Sequence, residues 1–319
     1  MNLNPWGDNR PYNSYANFFK KRFGHRLQKL CVDAGFSCPN RDPDDRSRGG
    51  CTFCNNNAFT PSYCNPSKSI TQQLDEGILF HQRRYRKAPA YLAYFQPYSN
   101  TFAPLPHLQR VYSEALAHPL VAGLIISTRP DCVDDEKLDY IASLSEKTFV
   151  AVEYGIESCN DDTLRTINRR HTFATSRKAI EMTAARGIHC GAHMIVGLPG
   201  ESPQSILDQA SIINTLPIDT LKLHQLQILN GTKLCTAPHP AQMSLEEYIG
   251  LVCDFLERLR PDIMMQRFAG EVPPPYQAEP QRAWRRTDGK HLRNQEIPAL
   301  VEAELNRRNT HQGSKYSGQ

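Results

Sequence analysis

The sequence predicts an α/β protein, a partial (β/α)6 TIM-like barrel with a short N-terminal helix and a C-terminal α/β extension. Three observations carry that prediction. Apolar runs of strand length alternate six times with amphipathic helical stretches, so the strands cannot pair as hairpins and are expected to run parallel, joined by right-handed crossovers. Every predicted strand ends in polar residues, which is where parallel barrels place their chemistry. The 319 residues suffice for one large domain with appendages.

In chain order, residues 1–26 form an N-terminal extension. Its 12–23 stretch carries Tyr15, Phe18, Phe19 and Phe23 at spacings of three and four, an aromatic stripe that reads as helix and as core. Residues 27–230 form the barrel. Strands are predicted at 27–32, 91–95, 121–126, 148–154, 188–196 and 220–226, with helices at 70–86, 105–117, 134–144, 173–186 and 202–216 between them. The extension, 231–308, contains a helix over 245–259, announced by the capping-box pair Ser244 and Glu247 and by the stripe Tyr248, Ile249, Val252, Phe255, Leu256 and Leu259. A proline-rich break at 272–275 precedes a basic portion, and 309–319 reads as a polar frayed tail.

Composition narrows the class. Ten cysteines without a disulfide-like rhythm, and no charged-then-apolar leader, point to a reducing, cytoplasmic setting. No apolar run approaches the roughly 18 residues of a membrane span, so no membrane contact is expected. With a formal charge of only +4 and no repeat or low-complexity segment, a soluble monomer is the expectation.

The chemistry is expected in the loop after the first strand. Cys51 and Cys54 are separated by two residues, so one tight turn aims both sulfurs at a single centre, and a twelve-residue loop brings in Cys38. Gly49 and Gly50 permit the backbone conformations this requires. Three thiolates leave one coordination site open, as in an iron-sulfur cube, whereas structural zinc prefers a closed set of four. The rival is therefore a zinc-stabilised nucleic-acid-binding protein that adds Cys31 to the three. Cys64, Cys132, Cys159, Cys190, Cys235 and Cys253 are scattered and read as small hydrophobes, with no second cluster expected.

Polar residues follow the other five strands: Gln96 to Thr101, Ser127 to Asp131, Glu153 to Ser158, His193 to Gly200, and Lys222 to Gln225. Bland readings exist for several. Thr128 and Asp131 suit helix caps, residues 197–200 suit a turn, and His193 and His224 suit satisfied core histidines. Glu153 stands apart, because an acid inside an apolar strand is costly to bury unpaired.

The segment from Leu27 to Phe59, with its Cys-Pro-Asn-Arg-Asp and Gly-Gly-Cys-Thr-Phe-Cys-Asn motifs, resembles the cluster-binding segment of the radical S-adenosylmethionine (SAM) superfamily, in its YhcC-type branch. That branch is related to the radical SAM domain of the elongator catalytic subunit. Pro43 departs from the family's usual Gly in a loop about one residue longer. The resemblance, over roughly residues 15–300, implies the same (β/α)6 barrel. It implies that Cys38, Cys51 and Cys54 hold a [4Fe-4S] cluster whose free iron binds S-adenosyl-L-methionine. An electron donor such as a flavodoxin or ferredoxin would then drive reductive cleavage to a 5′-deoxyadenosyl radical.

Site residues follow from the same resemblance. Glu153 falls in the family's Glu-x-Gly-x-Gln/Glu-Ser element, which contacts the ribose of SAM; Gln96, Tyr98 and Asn100 lie where relatives hold the methionyl amino group. Thr128 is counted among the cofactor-facing residues. Arg169, in Asn168-Arg169-Arg170-His171, is the candidate for the SAM carboxylate, with Arg170 replacing the family's Gly. His193 and Gly197 belong to the adenine-recognising stretch. The substrate is left unknown. The elongator relationship suggests tRNA, and the basic groups 20–22, 83–87 and 282–293, the last with Trp284, suit RNA phosphate and base stacking, although solvated helix faces carry such charge equally well.

Overall fold

A computed structural model describes residues 3–41, 49–84, 88–238, 243–278, 284, 292–293 and 296–318. Helix α1 (Tyr15–Phe23) leads into β1 (Leu27–Val32), followed by α2 (Ile70–Arg84), β2 (Ala90–Phe95), α3 (Leu105–Ala117), β3 (Val121–Thr128), α4 (Asp135–Ser145) and β4 (Phe149–Glu157). Then come α5 (Asp161–Thr166), α6 (Phe173–Ala184), β5 (His189–Val196), α7 (Pro203–Asn214), β6 (Thr220–Gln225), α8 (Lys233–Thr236), α9 (Leu245–Arg258), β7 (Met264–Arg267) and α10 (Ile297–Arg307). All seven strands run parallel in one sheet of order β1 to β7, a curled half-barrel with helices outside.

The sheet holds one strand more than the sequence predicts, because the four residues of β7 are too few to show a period. They pair with β6 and so carry the C-terminal extension into the same sheet. β3 and β4 run past their expected ends, since Ser127 and Thr128 pair with Glu153 and Tyr154. The apolar outer face of the sheet packs against the helices. The inner face is closed at the strands' N-terminal end by α1, where Tyr15 and Phe19 are buried with Leu92, Tyr94, Ile125 and Phe149. The aromatic stripe is thus core, a plug at the end of the half-barrel opposite the strands' C-terminal ends.

Capping follows the sequence where side chains supply it. Ser244 Oγ accepts from Glu247 N at 3.1 Å while the Glu247 carboxylate accepts from Ser244 N at 2.8 Å, and Asn160 caps the unforeseen α5. The tail expected to fray does not. Gln312 is fully buried, accepts from Asn13 N at 3.0 Å and donates to the carbonyls of Arg260 and Ile263, and Lys315 pairs with Glu257. A second correction concerns Trp284, whose Nε1 donates to the Met243 carbonyl while its ring lies 4.7 Å from Tyr248. It is spent on packing rather than displayed for a base. Arg282, Arg285, Arg286 and Lys290, like Pro43, lie outside the described residues. Among those residues, no helix is long and apolar enough to cross a membrane.

Candidate active site

A cavity of about 230 Å³ opens among the C-terminal ends of the strands. At one end stand Cys38, Cys51 and Cys54. Gly50, at φ +77°, passes so close to Arg41 that a Cβ there would lie 2.8 Å from its Nε; its amide donates to the Asn40 carbonyl and folds the loop back. Cys54 N donates to the Cys51 carbonyl at 3.1 Å, the tight turn that the two-residue spacing predicts.

Three side-chain donors aim at these sulfurs. Asn40 Nδ2 donates to Cys51 Sγ at 3.3 Å, Arg169 Nη1 to Cys51 Sγ at 3.5 Å, and Asn56 Nδ2 to Cys54 Sγ at 3.6 Å. N–H donors directed at sulfur favour the thiolate over the thiol, and they tune clusters bound through cysteine. Burial, with Cys51 nearby, pushes the Cys54 thiol up to about 11 against the pull of Arg41, so this sulfur requires a cation to become a ligand.

Cys31 does not join them. Its thiol donates to Gln96 Oε1 at 3.1 Å, burial lifts it to about 11, and it does not line the cavity; Cys64 likewise donates to the Cys31 carbonyl. A tetrahedral zinc would need its sulfurs about 3.8 Å apart. Among the described residues no group of three or more His, Cys, Asp or Glu side chains is placed to hold a single metal ion.

Next to the cysteines, β4 carries a register shift between Gly155 and Glu157, with Glu157 at φ +64°. That irregularity turns Glu157 toward the cavity, where it pairs with Arg169 at 3.3 Å; Arg169 Nη2 also donates to the Gly155 carbonyl. Burial lifts the Glu157 carboxyl above its usual range, opposed by Arg169 and Arg129. Arg129 is held by Asp131 at 2.8 and 2.9 Å and by the Arg169 carbonyl, leaving Arg129 Nη1 and Arg169 Nε buried without partners among the described residues. Among the described residues five non-glycine residues have positive φ, and four of them, Tyr98, Glu157, Asn168 and Arg170, surround this site. Such strain collects where a structure must aim a side chain. Arg170, at φ +65°, keeps the backbone path that the family's Gly would give.

The cavity floor is a buried polar network on Glu153, which is fully excluded from solvent. Lys29 Nζ donates to Oε1 at 3.0 Å; Lys222 Nζ, His193 Nε2 (3.0 Å) and Ser127 Oγ (3.3 Å) meet Oε2. Burial alone would raise the Glu153 carboxyl, but Lys222, Lys29 and His193 overcome it and hold it well below the usual range. Both lysines lie over the Tyr94 ring, at 5.1 and 4.7 Å.

The structure therefore divides the predicted site residues. Gln96, Tyr98, Arg169 and His193 line the cavity with the three cysteines. Asn100 does not: its Nδ2 is consumed by the carbonyls of Phe95, Pro97 and Ser127, tying β2 to β3. Thr128 is bonded to Thr101 at 2.6 Å behind the wall, and Gly197 sits at a turn beside Met243, away from the cavity. Glu153 lies beneath the wall, occupied by its four donors. Sequence reasoning missed Glu157, though it occupies the Gln/Glu position of the strand-four element, and Arg267, which carries no motif.

The family model for the radical SAM superfamily matches residues 45–210, and that for the radical SAM C-terminal domain matches 218–297. The chain is 34% identical over 265 residues to protein YhcC of Escherichia coli, covering 82% of this chain and 84% of that one. It is 25% identical over 174 residues to a tRNA uridine(34) acetyltransferase of Dehalococcoides mccartyi, covering 51% of this chain but only 36% of the relative. In fold it is similar to archaeal Elp3 of Methanocaldococcus infernus, with a TM-score of 0.64 at 13% identity over 90% of this chain and 64% of that one. With three sulfurs at the head of a parallel half-barrel and a family match over half its length, the chain belongs to the radical SAM superfamily.

Proposed function

We propose that the protein is an enzyme in which Cys38, Cys51 and Cys54 hold the [4Fe-4S] cluster and the adjoining wall binds S-adenosylmethionine. The observation that carries this reading is the set of donors from Asn40, Asn56 and Arg169 aimed at two of the three sulfurs. When bound, cluster and SAM supply reductive carbon–sulfur cleavage and a hydrogen-abstracting radical, driven by one electron from a flavodoxin- or ferredoxin-like donor.

This chain's residues bind and orient. Arg169, held by Glu157 and the Gly155 carbonyl, is placed to meet a carboxylate beside the cysteines. Gln96 and Tyr98 also line the cavity, with Tyr98 N donating to Asn56 Oδ1 at 3.3 Å. Glu157 takes the contact expected of Glu153, whose carboxylate instead fixes His193 and Lys222. Apolar Phe53, Ile195 and Leu226 line the cavity and limit water, which protects a reactive species from side reactions.

The test is anaerobic incubation with SAM and dithionite, which should release 5′-deoxyadenosine and should fail in Cys51→Ser. No release from protein carrying its full iron complement would reject the reading. A second reading, tRNA as substrate, rests on the relative named a tRNA uridine(34) acetyltransferase. It predicts binding of bulk tRNA that weakens steeply with salt. Absent or salt-independent binding rejects it, and the exposed Lys20, Lys21 and Arg22 lie on α1, at the end of the barrel away from the cavity.

A further inference from the structure

The far end of the cavity holds more positive charge than its carboxylate neutralises. Glu153 is shared between Lys29 and Lys222. Arg267, at the end of β7, adds a third cation: it is exposed, lines the cavity, and its side chain makes no hydrogen bond or ion pair with any described residue. The wall's other arginines are occupied, Arg41 by the Cys54 carbonyl, Arg129 by Asp131 and Arg169 by Glu157. Arg267 belongs electrostatically to the floor, acting on Lys29, Cys31, Tyr94, Lys222 and His224, whereas Cys54 feels Arg41 and Arg169.

Arg267 stands at the solvent-facing side of a group that holds two lysines on one carboxylate, and the fold gains nothing from leaving it unpaired beside them. His224 stands among them on the wall, held neutral by burial and then by Arg267, His193 and Lys222, so it remains able to donate a hydrogen bond. A guanidinium fork beside an ammonium matches the two or three oxygens of a carboxylate or phosphate.

We propose that this floor is an oxyanion site, in which Arg267 and Lys222, assisted by His224, bind a carboxylate or phosphate group of the substrate. The inference rests on the radical SAM reading of the same cavity, because it sets the substrate's charged group opposite the cysteine end. Supporting it, burial together with Lys29 and Arg267 brings Lys222 down to about 7 against the attraction of Glu153. An arriving anion favours the protonated amine, so affinity should fall as pH rises above about 7. The groups facing Lys222 are Glu153, Tyr94, Lys29, Cys31, Arg267, His193 and His224.

The experiment titrates the cluster-loaded protein with trifluoroacetate, followed by fluorine NMR line width, and with inorganic phosphate, followed by phosphorus NMR. Saturable binding of either is expected; the tighter probe identifies a carboxylate or a phosphate as the substrate's group. Arg267→Gln should weaken it about tenfold or more, and Arg267→Lys should recover part of the loss. Iron content and SAM affinity, measured in parallel, should stay unchanged in both variants. Absence of saturable binding, or equal binding in Arg267→Gln, overturns the proposal. So does a parallel fall in SAM affinity, which would assign these cations to the cofactor. Loss of iron or of SAM binding in the unmutated protein would instead count against the radical SAM reading.

Discussion

The two ends of one cavity solve the burial of charge in opposite ways. At the cysteine end, each buried guanidinium has its own carboxylate, Arg129 with Asp131 and Arg169 with Glu157, and the Asn40 and Asn56 amides point at sulfur. At the floor, one carboxylate serves two lysines and a third cation has no partner. The first arrangement is balanced in charge and leaves Arg129 Nη1 and Arg169 Nε unmet among the described residues, and so suits a resident cofactor. The second is complete only when an anion arrives, and so suits a substrate that must enter and leave.

The largest effects separate the ends by composition. Replacing Cys38, Cys51 or Cys54 by Ser should abolish iron retention on anaerobic reconstitution, while Cys31→Ser, whose thiol faces Gln96, should keep the full complement. Equal iron loss in Cys31→Ser would erase the distinction. Next comes the floor's keystone. Glu153→Gln leaves the buried Lys222 and the half-buried Lys29 facing an uncharged amide and should cost about 3–5 kcal/mol of stability, read from denaturant midpoints. The Glu153 carboxyl is depressed in the fold, so its contribution is present above the ordinary carboxylate range and is lost as pH falls below it. An acid-independent difference between variant and unmutated protein would show that the ion pairs are not its source.

A smaller effect probes the cysteine end without touching a thiol. Glu157→Gln frees Arg169 from its partner and should weaken SAM binding about tenfold with iron content intact, whereas unchanged SAM affinity would remove Glu157 from the site. The smallest concerns strain. Arg170→Gly, at φ +65°, should stabilise the protein by about 1 kcal/mol, as the left-handed conformation penalises a side chain there. A loss of stability would mean that the Arg170 bond to Asn168, at 2.9 Å, outweighs the strain.

The same contrast explains what could be read from the sequence. The cysteine loop was legible because its chemistry is local: the spacing of Cys51 and Cys54, the glycines and the Asn-Arg stretch sit in short runs. The strands through β6 were legible because buried parallel strands are continuous apolar runs. The floor was not, because it is assembled across the sheet. Lys29 on β1, Glu153 on β4, Lys222 on β6 and Arg267 on β7 meet only after curling, and each looks like an isolated charge in its own run. Glu153 was singled out as an acid too costly to bury alone, but the partners that occupy its carboxylate, Lys29, Lys222 and His193, were invisible. Asn100 and Thr128 misled for the converse reason, since polar residues after a strand also serve to tie neighbouring strands together. Gln312 misled because a polar tail composition hides a side chain that satisfies three backbone groups.

The central claim, that the cysteine end holds an iron-sulfur cube rather than a single ion, is tested most directly by metal analysis of anaerobically reconstituted protein. The account predicts a brown protein with about four irons per chain and broad absorption near roughly 400 nm. Stoichiometric zinc with no iron uptake would contradict it.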